Sequence, residues 1–140
     1  MPQSKASKAL LTAFNEYFLI TLPVGLYVAL EATHHHRWEL LVLSPEWSMA
    51  TIFLLFQGLS LYTRHLNGAG AKVSAGAVSL MALTSLLIAA LTLINAYSSL
   101  TAEENTKGAI LFRLGLFGLT TVGFLVLVAG ATLYRLKREV

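Results

Sequence analysis

Ala109-ILFRLGLFGLTTVGFLVLVAGAT-Leu133 carries Arg113 as its one charged residue. A bilayer core about 30 Å thick is crossed by about 20 residues of helix rising about 1.5 Å each. This stretch is long enough. Three more apolar runs precede it, Leu10–Leu30, Trp47–Tyr62 and Val73–Tyr97, and together they fill most of the 140-residue chain. Hydrophobic residues make up 56% and charged residues 12%, against about 25% charged in a soluble domain. Mean hydropathy is +0.67. The reading is an all-α integral membrane four-helix bundle, a single domain over residues 1–140, with helices at about 10–31, 45–66, 73–98 and 102–137. It belongs in a prokaryotic inner (plasma) membrane. The first run exceeds the usual h-region of about 7–15 residues and lacks an A-x-A site, so it is expected to be retained.

Local signals place the helix ends. Pro23 removes a backbone donor inside the first helix and predicts a kink. Ser44, Pro45 and Glu46 suit the cap, first and second positions of the next helix. Asn67-Gly68 predicts a left-handed cap, and Gly68-Ala-Gly70 a tight turn. Thr101-x-x-Glu104 reads as a capping box ahead of the last helix. Trp38 to Leu43 is expected to lie along the membrane interface.

Charge sets orientation. Lys5, Lys8, Arg64, Lys72, Arg135, Lys137 and Arg138 fall on one side, and Arg37, Lys107 and Arg113 on the other. By the positive-inside rule the richer side is cytoplasmic, with both termini in it. The net charge of +3 therefore reflects membrane flanks. No basic segment interleaved with aromatics suggests nucleic acid. Cysteine is absent, which excludes disulfides, thiolate metal sites and a cysteine nucleophile.

Several residues are candidates for chemistry. Glu16 lies about 9 Å along the first helix from Leu10, and an acid at that depth pairs or faces water. Asn15 shares its face. Gln57 and Arg64 share a face of the second helix, at a depth that would let Arg64 meet Glu16. That polar intramembrane cluster would be either a structural ion pair or a cytoplasm-facing proton or cation site. Arg113 stands as an outer-leaflet charge that either snorkels to the headgroups or lines a pore. Asn95 matches it in depth. His34, His35 and His36 are weak metal candidates, because adjacent helical residues project about 100° apart and cannot all reach one ion. No cofactor site is read.

Helix packing offers a more specific pattern. Gly108, Gly115, Gly118, Gly123 and Gly130 fall within an arc of about 140° on the last helix. Ala75, Ser79 and Ala82, continued by Ser85, Ala89 and Ala96, fall within about 120° on the third. Small faces let membrane helices approach closely. They are expected to serve contact between these two helices, with surface left over for a second subunit.

No nucleophile elbow, phosphate loop or zinc-protease motif occurs, so an enzyme is not expected. The expected function is that of a non-enzymatic polytopic membrane protein, an oligomeric pore, anchoring or sensing subunit of a multi-protein system. The alternative is a small proton- or cation-coupled transporter using Glu16. Expected partners are the lipid bilayer and a second copy or another membrane subunit. Arg135, Lys137 and Arg138 would offer a cytoplasmic docking point for anionic lipid or an acidic soluble partner.

Overall fold

The protein, here as a computed structural model, is described over residues 3–101 and 107–139, with 42–43 and 99–101 described in backbone alone. It is all-α: α1 (Lys5–His34), α2 (Leu40–Leu43), α3 (Trp47–Gly68), α4 (Ala75–Thr101) and α5 (Lys107–Arg138). No strand occurs among the described residues. α1, α4 and α5 are each long and apolar enough to cross a membrane. At about 1.5 Å per residue α3 is also of spanning length, but Ser48, Thr51, Gln57, Ser60 and Thr63 make it less apolar. The fourth crossing expected from the sequence thus rests on the place of α3 inside the bundle.

That place is central. α3 packs most extensively on α5, α1 lies against both on one side, and α4 against both on the other. α3 and α5 run parallel, since Trp47 stacks near Phe117 and Gly58 faces Phe124. α1 and α4 run the opposite way, as Tyr17 meeting Thr121 and Asn95 meeting Arg113 show. Both chain ends therefore emerge at one end of the bundle, called here the Arg135 end. The other is the Trp47 end.

The interior is small and the exterior large, the reverse of a soluble bundle. Ala9, Ala13, Val28 and Ala32 are buried on α1, while Phe18, Leu19, Leu22 and Leu30 point outward. Thr21, Thr51, Thr92 and Thr132 are also buried. Their hydroxyls donate to carbonyls four residues back, at 2.9, 3.0, 2.8 and 2.7 Å. Each is thus satisfied within its own helix. Small residues and self-bonded threonines bring backbones together where lipid supplies no hydrophobic drive. Ala13, Leu54, Leu61, Phe124 and Val128 form the core cluster.

The helix ends adjust the sequence reading. The left-handed residue after α3 is Gly70, with φ +70°, and not Gly68, which is still helical. Ala71 N–H donates to Leu66 at 3.1 Å and Gly70 N–H to Asn67 at 3.0 Å, the two bonds of a Schellman stop. The same stop closes α1. His36 takes the left-handed position at φ 54°, and Arg37 N–H reaches back to Ala32 at 2.9 Å. Ser44 is extended, and its Oγ accepts from Glu46 N–H at 3.4 Å before α3 begins. α4 continues to Thr101 and α5 starts at Lys107. Glu104 of the expected capping box lies outside the described residues.

Candidate functional site

The Arg135 end does not assemble the cluster expected there. Asn15, Gln57 and Arg64 are exposed and Glu16 is half-buried. The ion pairs among the described residues are Arg37–Glu39 and Arg135–Glu139, so Glu16 and Arg64 do not pair. The cause is rotational. The buried seam of α3 runs through Ser48, Thr51, Leu54, Gly58 and Leu61, and Gln57 and Arg64 sit about 100–120° away from its centre. Glu16 instead acts electrostatically on His65, together with Arg135 and Arg64. Both ring nitrogens of His65 are buried and without a hydrogen-bond partner. Arg135 lies beside Gly68 and donates from Nε to Glu139 at 3.0 Å. Arg138 covers the Tyr134 ring at 5.2 Å. Lys137 and Arg138 are exposed.

At the Trp47 end Arg113 does not snorkel. It is 1% exposed, on the core side of α5. Its Nε donates to Asn95 Oδ1 at 3.3 Å, and Asn95 Nδ2 donates to the Ala109 carbonyl at 3.1 Å. Glu46 acts on it electrostatically from the head of α3. The guanidinium thus ties α4 to α5. Depth matching can propose the Asn95 contact from sequence, but the direction of the side chain comes from the seam of α5. The role of Glu46 is visible only once α3 is docked.

The three histidines disperse. His34 ends the helix, His35 caps it and His36 is left-handed. The rings of His34 and His35 meet edge to face at 5.0 Å. No group of three or more metal-ligating side chains converges among the described residues.

The two small-residue faces part company. On α4, Ala89 is buried and Ala82, Ser85 and Ala96 are half-buried against the bundle, whereas Ala75 and Ser79 are exposed. On α5 the buried residues are Arg113, Thr120, Phe124, Val128, Ala131 and Thr132. The glycine arc lies roughly opposite them, about 180° around the helix. A Cβ added at Gly108, Gly115, Gly118, Gly123 or Gly130 would meet nothing within 4 Å. The close approach inside the subunit is made elsewhere. At Gly58, which the small-residue arcs do not include, an added Cβ would lie 3.0 Å from Phe124 Cδ2.

Two cavities open on the bundle's flanks. One of about 370 Å³ lies where α4 rests loosely on α3 and α5, walled by Leu54, Leu80, Ile88, Leu119 and Leu127, with Thr84 and Ser85 among its lining. The other, about 340 Å³, lies between α1 and α3 toward the Trp47 end. No protein-family model, curated protein or solved structure matches this chain.

Proposed function

We propose that the chain is a non-enzymatic membrane subunit that works as a homo-oligomer or with another membrane protein, as a pore, anchor or sensor. It sits in a prokaryotic inner membrane with both termini cytoplasmic. One observation carries this reading: the glycine face of α5 points away from its own bundle. Glycine inside a helix costs about 0.5–1 kcal/mol relative to alanine. Gly108, Gly115, Gly118 and Gly130, along one outward arc with open space before each, have no use within the subunit, while Gly123 lines the cavity beside α4. A second helix laid along that arc would meet bare backbone, which favours close packing between membrane helices. The exposed Lys137 and Arg138 add a cytoplasmic contact for anionic lipid or an acidic partner. A transporter centred on Glu16 finds less support, since Asn15, Gln57 and Arg64 do not converge on it.

The test is oligomeric state in nanodiscs by native mass spectrometry, for the wild-type chain and for Gly115→Leu/Gly118→Leu. Because both positions face open space, the double variant should insert and keep its monomer stability while losing the higher-order species. A wild-type chain that is monomeric in several mild membrane mimetics, with no co-purifying membrane partner, rejects the proposal.

A further inference from the structure

The cavity between α1 and α3 is graded along the membrane normal. Its lining is Pro23, Val24, Tyr27, Glu46, Met49 and Phe53. Helical rise puts Met49 about 4–5 Å and Phe53 about 10 Å below Glu46, and Pro23 about 6 Å below Tyr27. Polar groups thus crowd the rim at the Trp47 end, and the floor is apolar. Tyr27 OH donates to Glu31 Oε1 at 3.4 Å, and both Glu31 and Glu46 act electrostatically on that phenol. Neither glutamate forms an ion pair among the described residues. Glu46 accepts a hydrogen bond from the Ser44 hydroxyl. Glu46 also acts electrostatically on the buried Arg113. The cavity opens sideways, since Tyr27, Met49 and Phe53 are all about half exposed.

We infer that this cavity binds an alkylammonium amphiphile, with its cationic head between Glu46, Glu31 and Tyr27 and its chain running down past Met49 to Phe53 and Pro23. An ammonium gains from two carboxylates and from the face of Tyr27, and its chain from the apolar floor. An anion is repelled by the same rim, and a neutral apolar molecule makes no use of it. Pro23 closes the apolar floor of the cavity from α1. The ammonium has two possible sources, the headgroup of a zwitterionic lipid and a free amphiphile. The inference does not depend on oligomerisation.

The probe is octyltrimethylammonium, titrated calorimetrically into the full chain in phosphatidylglycerol nanodiscs, with empty discs as baseline. Saturable binding above baseline is expected. It should weaken about ten-fold in Glu46→Gln, as one charge contact is lost, and disappear in Met49→Trp, which fills the cavity from the bilayer side. Glu39→Gln, whose carboxylate is exposed and paired with Arg37, should bind as wild type. Phosphatidylethanolamine added to the discs lowers the affinity if a lipid headgroup is the resident ligand, and leaves it unchanged if a free amphiphile is. Octyl glucoside, with the same chain and no charge, should not compete. Binding at the empty-disc level overturns the inference. So does equal competition by octyl glucoside, or a Met49→Trp variant of wild-type melting temperature that still binds.

Discussion

Gly58→Ala sets two opposing terms against each other, and the structure decides which wins. Alanine is favoured over glycine in a helix by about 0.8–1.0 kcal/mol. Its methyl, however, would stand 3.0 Å from Phe124 Cδ2 and 3.6 Å from Cε2, where carbon atoms rest at about 3.5–4.0 Å. The ring must therefore retreat by about 0.5 Å on that scale. It has little room. Phe124 is 3% exposed, the Tyr17 ring is 6.1 Å away centroid to centroid, and Leu54, Leu61 and Ala13 share its cluster. Overpacking of this kind costs about 1–3 kcal/mol, so the net effect is a loss of about 1 kcal/mol, the difference of the two ranges. Gly118→Ala is the internal standard, because it meets nothing within 4 Å. In the isolated subunit it should gain the propensity term alone. The assay is unfolding by dodecyl sulfate in mixed micelles, followed by fluorescence of Trp47, whose ring packs 5.1 Å from Phe117. In a Phe124→Leu background the methyl has space, and Gly58→Ala should turn neutral or stabilising. A Gly58→Ala chain stabilised as much as Gly118→Ala would refute the argument, since α3 and α5 would then not be in such close contact.

Other outcomes follow from single contacts. Asn95→Leu removes the acceptor for Arg113 Nε and should cost about 1.5–3 kcal/mol, as for a hydrogen bond to a charged group; adding Arg113→Leu should recover part of the loss in the same micelle assay. Strict additivity of the two changes would argue against the contact. Gly70→Ala forces a Cβ into the left-handed region, at φ +70°, and should lower the unfolding free energy by about 1–2 kcal/mol. Gly76→Ala, with open space before it and a negative φ, should not. Reporter fusions at residues 1, 40, 69, 104 and 140 should read in, out, in, out, in. An external signal at 69 would overturn the orientation drawn from charge.

Membrane location, four helices and the end at which the termini emerge were legible in the residues, because each depends on properties that survive without tertiary contacts. Hydrophobic length is a sum over a segment, and basic residues such as Lys72 and Arg135 act through their position along the chain. The glycine arc of α5 was equally visible, since an arc needs only helical pitch. Its direction was not, because pitch says which residues share a face and nothing about which face turns inward. That choice belongs to the packing of α3 against α5. There Phe124 fills the space beside Gly58 and turns Gly118 outward. The same rotation carries Arg113 into the core beside Asn95, and leaves Gln57 and Arg64 outside. A lone charge or amide in an apolar helix therefore announces its depth in the sequence. Its partner, as Asn95 is for Arg113, is decided only when the helices set their rotations against one another.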